Sequence, residues 1–185
     1  MDPLAIVIVV AGFVLLWGGL AYNRMVRLRV RAEAAWRDID TQLKRRWDLI
    51  PNIVETVKGY AAHEGEVFED VTLARSRAID AAGPHEQAVA EEGLKGAMKS
   101  LFAVVESYPD LKANESFLQM QVMLEQVEDA IQRSRRYYNA VVRDLNTTIQ
   151  TFPRSILATL FRFEEREFYA LDSEAQREAP RVQLR

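Results

Sequence analysis

PLAIVIVVAGFVLLWGGLAYN, residues 3–23, carries no charged side chain and is almost wholly apolar. At about 1.5 Å per residue, a helix of this length spans roughly 30 Å, the thickness of a bilayer's hydrocarbon core. In that layer every backbone amide needs a partner within the segment, so an isolated span has to be a helix. Trp17 and Tyr22, near its C-terminal end, suit the headgroup interface, where an amphipathic ring meets both lipid and water. Arg24, Arg27, Arg29 and Arg31 follow at once. Positive charge this close to a span biases its side towards the cytoplasm. The reading is an N-terminus outside and residues 24–185 in the cytoplasm. A cleaved signal peptide needs basic residues before the apolar run and a small-residue cleavage site after it. Here Asp2 precedes the run and Tyr22-Asn23-Arg24-Met25 is a poor site, so an uncleaved anchor is expected over residues 1–23.

Beyond the anchor the apolar period is helical. Met25, Leu28, Ala32, Trp36, Ile39, Leu43, Trp47 and Ile50 step by three or four, and nothing from Asn23 to Trp47 breaks a helix. Anchor and first cytoplasmic helix therefore read as one rod. Pro51 lacks an amide proton and disfavours helix before it, so Asp48–Pro51 reads as a tight turn capped by Asp48 or as a kink, with the turn favoured. A second stripe runs from Ile53 to Ala78 and stops at Ala81-Ala82-Gly83-Pro84. A third uses Leu94, Ala97, Met98, Leu101, Phe102 and Val105, closing at Ser107-Tyr108-Pro109-Asp110. Asn114 is placed to cap the longest and most regular helix, with stripe Met120, Leu124, Val127, Ile131, Ser134, Tyr138, Val141, Leu145 and Ile149. Thr151-Phe152-Pro153 ends it, and Ile156, Leu157, Leu160 and Phe161 form a short apolar piece. Helices joined by short turns pack antiparallel to bury their stripes. The expected fold is all-α: a single transmembrane helix continuing into an antiparallel four-helix bundle over residues 24–171. Residues 172–185, charged and without apolar period, read as a loose tail.

Composition narrows the chemistry. With no cysteine, disulfides, thiol catalysis and cysteine metal sites are excluded. The balance of 24 basic and 27 acidic residues gives no basic footprint for nucleic acid. Lys44-Arg45-Arg46 and Arg133, Arg135, Arg136 beside Tyr137-Tyr138 read instead as solvated charges pairing with Asp38, Asp40, Asp48 and similar carboxylates, with Tyr138 in the core stripe. His63-Glu64-Gly65-Glu66 lacks the second histidine of a zinc protease helix. Neither His63 nor His85 follows a glutamate at the spacing that bundle di-iron sites use. Glu64, Glu66, Glu69 and Asp70 read as a wet face. Glycine-rich phosphate loops and nucleophile elbows are absent from the sequence. No catalytic residue, cofactor or metal is expected.

Two features point to the membrane instead. Ala5, Gly12 and Gly19 recur every seven residues on one face of the anchor, extended by Val26, and small residues let backbones approach closely in lipid. Arg24, Arg27 and Arg31 share a helix face at the lipid surface, where each gains on the order of 1 kcal/mol from anionic headgroups.

The segments WRDIDTQLKRRWDLIPNIVETVKGYAAHE (36–64), YPDLKANESFLQMQ (108–121) and RRYYNAVVRDLNTTIQTFP (135–153), with EREFYAL (165–171) and QREAP (176–180) behind them, closely resemble the LemA family. Trp47 departs from that pattern, where a smaller or more polar residue such as histidine is expected. The resemblance implies a bacterial membrane-anchored protein with an antiparallel four-helix cytoplasmic domain and no established enzymatic activity. It implies links to envelope stress, to neighbourhoods with a membrane metalloprotease and, through a magnetosome-membrane relative, to membrane shaping. The expected function is a non-enzymatic, homo-oligomeric scaffold or adaptor, with membrane lipids and a membrane protease or other envelope protein as partners. A membrane-shaping polymer is its sharper form. A signalling transducer is the weaker alternative, since only Met1 and Asp2 precede the apolar run.

Overall fold

A computed structural model of the chain describes residues 2–170, all but the side chain of Ala5. Among the described residues there are six helices and no strand: α1 (Pro3–Lys58), α2 (Gly65–Asp80), α3 (Gly83–Val105), α4 (Pro109–Lys112), α5 (Glu115–Gln150) and α6 (Arg154–Leu160). The expected loose tail lies outside these residues.

Anchor and first bundle helix are one rod, as expected, and the rod is longer than expected. Its 56 residues extend for about 84 Å at the helical rise, with no break at residues 23 and 24. This makes α1, not the 36-residue α5, the longest helix.

The turn expected at Pro51 is absent. The helix runs through it to Lys58, and the chain reverses over residues 59–64. Ile53, Val54 and Val57, assigned from periodicity to a second helix, belong to the first. A mid-helix proline costs about 3 kcal/mol, in part because the carbonyl four residues back loses its donor. That carbonyl is Trp47's, and Arg75 of α2 donates its Nε–H to it at 2.8 Å. Ile50, Ile53, Val54 and Val57 are all buried. At about 1.5–3 kcal/mol per buried aliphatic side chain, keeping the stripe in register outweighs the proline. Asp48 pairs with Lys44 one turn back (2.8 Å) and caps nothing.

The remaining boundaries fall where the turn residues put them. Gly83 adopts φ +84°, a left-handed conformation that costs glycine no steric penalty, and Pro84 follows inside the first turn of α3. Asn114 caps α5, its Oδ1 accepting from the Phe117 amide at 3.0 Å.

Three contacts fix how α5 lies against α1. Trp36 stacks near Tyr138 (5.5 Å between ring centroids), Arg46 reaches Glu128 (3.3 Å), and Asn114 donates to the Tyr60 hydroxyl (3.3 Å). Residue numbers rise on one helix as they fall on the other, so the pair is antiparallel. The α2–α3 hairpin packs across it, closing the four-helix bundle, and one core runs from Leu28 to Val57 on α1.

The chain after α6 is not left loose. Asn146 and Asn139, seven residues apart on one face of α5, each bind a backbone unit of the segment 163–170. Asn146 donates to the Arg166 carbonyl (2.9 Å) and accepts from its amide (2.9 Å). Asn139 does the same for Tyr169 at 3.1 and 2.9 Å. The Tyr138 hydroxyl donates to the Glu167 carbonyl (2.8 Å).

Candidate functional site

The N-terminal half of α1 gathers the residues singled out from sequence. From Leu4 to Leu16 the large apolar side chains are 48–76% exposed, so nothing within the protein covers this stretch. It forms part of the one described helix long and apolar enough to cross a membrane. Gly12 and Gly19 face outward, and a Cβ placed on either meets nothing within 4 Å. Residues rotate by about 100° along the helix, which puts both glycines roughly opposite Ala21, on the side of α1 turned away from α6 and the bundle. Ala5 shares that helix backbone. Arg24, Arg27 and Arg31 are exposed, and among the described residues none of the three makes an ion pair. Arg29 instead lies over the Phe163 ring, 5.4 Å from its centroid.

A second site lies inside the bundle and was not foreseen. Arg46 is buried, against its reading as a solvated charge. Its Nη1 donates to Glu91 Oε2 at 2.9 Å and reaches Glu128 at 3.3 Å, while its Nε has no partner. The other Glu91 oxygen accepts from Trp47 Nε1 (2.9 Å) and from Gln87 Nε2 (3.2 Å), and Gln87 also bonds the Ala78 carbonyl at the end of α2 (2.9 Å). Burial pushes the Glu91 carboxyl above the ordinary range, against the Arg46 charge and the Trp47 hydrogen bond. Trp47 therefore supplies a donor to a buried carboxylate. Arg135 stacks over the Tyr169 ring (4.5 Å) at the edge of this cluster, and burial is also what raises the Tyr169 hydroxyl. The space among Arg46, Glu91, Glu128, Arg135 and Tyr169 is about 30 Å³, too small for a substrate. Its chemistry is that of a polar pin joining α1, α3 and α5.

The periodicity did carry a signal for this pin. Arg46 sits three residues after Leu43 and four before Ile50, and Glu91 sits three after Ala88 and three before Leu94. Both are charged residues at core positions of their stripes.

The histidines do not converge: His63 lies in the turn before α2, and His85 opens α3 beyond the other end of α2. Among the described residues, no group of three or more histidines and carboxylates is arranged to hold a metal ion. A groove of about 1000 Å³ runs between α2 and α3, past Leu73, Arg77, His85 and Val89. His85 Nδ1 lies 3.3 Å from the Ala170 carbonyl there.

Comparison with known proteins places this architecture. Magnetosome protein MamQ 2 of Paramagnetospirillum magneticum is 25% identical over 176 residues, covering 81% of this chain and 65% of that protein. Magnetosome protein MamQ of Magnetospirillum gryphiswaldense is 24% identical, with the same coverage of each chain. Protein LemA of Metamycoplasma hominis is 29% identical over 134 residues, covering 70% of this chain and 60% of the relative. The chain thus spans somewhat under two thirds of the length of these relatives. The LemA family pattern itself matches residues 35–184, from the middle of α1 onward and through the whole bundle, and the chain belongs to the LemA family.

Proposed function

We propose that this protein is a non-enzymatic scaffold or adaptor, held in the bacterial inner membrane by α1 with its N-terminus outside and its bundle in the cytoplasm. The observation that carries the reading is the unbroken α1 helix. A bundle on a continuous helix keeps a fixed orientation to the bilayer, which presenting a partner surface requires and a floppy tether does not give. Arg24, Arg27 and Arg31 hold the cytoplasmic end of the span against anionic headgroups. Copies associate through the seam of Ala5, Gly12 and Gly19. Within lipid, helices gain little from hydrophobicity, and close backbone approach supplies the attraction. The seam lies away from the bundle, so paired anchors leave each bundle free on its outer side to meet an envelope protein such as a membrane protease. The chemistry inside the bundle supports a structural role, since Glu91 and Arg46 are spent on each other in a closed space.

The likeness to proteins named for the magnetosome favours one sharper version, in which copies form a polymer that shapes the membrane. Imaging the full-length protein after detergent extraction tests both. A defined assembly of a few copies supports the adaptor, an extended ordered array supports the polymer, and discrete monomers contradict the scaffold.

A further inference from the structure

The α6 helix leaves an apolar surface uncovered in an unusual place. Phe152, Ile156, Leu160 and Phe161, two on α6 and two flanking it, are 76%, 61%, 69% and 52% exposed, a concentration that a water-facing stretch of ten residues does not carry without cause. The segment also rests on α1 at the end of the uncharged stretch, with Phe161 half covered there. Tyr22 packs against Phe161 (4.8 Å between centroids) and Phe163 (5.6 Å). Ala21 and Met25 of α1 and Ala158 of α6 are buried but stand outside the main core, which marks a separate contact between the two helices. The level of Tyr22 is set by α1 itself, so α6 is held at the same level whether or not a partner is present.

We propose that α6 and its flanks form a second membrane contact, seated in the interfacial layer of the leaflet from which α1 emerges. Phe152, Ile156, Leu160 and Phe161 enter the acyl boundary, and Arg24, Arg27, Arg29 and Arg162 meet anionic headgroups. This rests on the reading that α1 spans the bilayer. Lipid is the occupant because the exposed residues stand at the level where the span ends, and the span's own large apolar side chains, Trp17 apart, are uncovered from Leu4 to Leu20. Charge agrees: Arg24, Arg27 and Arg29 follow Tyr22 on α1 within two turns, Arg162 follows α6 directly, and of the two acids next in the chain Glu165 is engaged by Gln150 (2.8 Å), leaving Glu164 exposed to water. The contact is also tied to the bundle, since the chain leaving α6 is clasped at Arg166 by Asn146, and Arg166 pairs with Glu33 of α1 (2.8 Å). Two points of attachment fix the tilt of the bundle, where a single helix leaves it free to lean.

The cysteine-free chain allows a direct test. Full-length Ile156→Cys and Leu160→Cys proteins, each carrying one environment-sensitive fluorophore, are reconstituted in phosphatidylcholine–phosphatidylglycerol vesicles with brominated acyl chains. Val14→Cys in the span and Leu118→Cys, beside the Asn114 cap at the far end of the bundle, serve as references. The expected result is quenching at 156 and 160 of roughly half the Val14→Cys value or more, as for an element in the interface, and none at 118. Labels at 156 and 160 as unquenched as that at 118, with 14 quenched, would overturn the second contact and leave the spanning reading standing. An unquenched Val14→Cys label overturns both. Loss of quenching together with a disulfide between unlabelled Leu160→Cys copies would show that a second copy covers α6, which also overturns the proposal.

Discussion

Arg46 and Glu91 show how much a single buried charge pair asks of its surroundings. Replacing either by alanine strands the other without its main partner, and such truncations cost about 3–5 kcal/mol. The double change Arg46→Met with Glu91→Leu removes both charges and keeps the volume, so it should recover most of that loss. Urea unfolding of the full-length protein in detergent, run as a double-mutant cycle, checks this; additive losses would mean the pair is not a unit. The same carboxyl gives a pH prediction. Its folded-state pKa lies above the unfolded value, so the native state holds the proton to higher pH. The contribution of Glu91 to stability therefore falls as pH rises from about 4, the ordinary carboxyl range, through the raised value. Wild type minus Glu91→Gln should show that falling slope, and a rising one would contradict the assignment. Arg46 was read with its neighbours Lys44 and Arg45 as a basic run, and Glu91 passed unnoticed beside Glu92, because charge masked their core spacing. What Glu91 meets could not be read from α3 alone, since Arg46 and Trp47 stand some 45 residues away.

Among the elements, α1 and α2 are joined by a repair. The Trp47 carbonyl, left without a helical donor by Pro51, is served by Arg75. Removing that donor with Arg75→Met should cost about 1–2 kcal/mol, the loss for an unsatisfied polar group in a partly buried site. Pro51→Ala restores the amide, so in that background the same Arg75→Met change should cost markedly less. Equal losses in both backgrounds, measured by denaturant unfolding, would show that Arg75 contributes only packing. The element boundaries set by local chemistry were legible: the Gly83-Pro84 stop, the Asn114 cap and the Thr151-Phe152-Pro153 end each act through residues adjacent in sequence. The passage through Pro51 was not, because the burial and the hydrogen bond that override the proline come from other helices. Likewise, Asn139 and Asn146 look like ordinary polar residues beside a stripe, and only the returning chain gives them a role.

At the scale of the whole molecule, the long α1 rod sets where everything else stands. If the arginines at its inner end orient the span, protease added to intact spheroplasts should leave residues 30–170 uncut, and digestion of the bundle there would reverse the topology. The long apolar helix and the bundle behind it were readable because both rest on period and length. The uncovered face of α6 was not, since apolar residues around a proline look the same in sequence whether protein covers them or not. On the proposed reading, the seam of Ala5, Gly12 and Gly19 lets α1 assemble as well as anchor. The copy number of full-length protein in native membrane discs distinguishes assembly from anchoring alone, comparing the parent with Gly12→Leu on the seam and Val10→Leu, roughly 160° round the helix from it. Several parent copies per disc are expected, fewer for Gly12→Leu and no change for Val10→Leu. One copy per disc for the parent, or equal numbers for all three, would contradict assembly through the anchor.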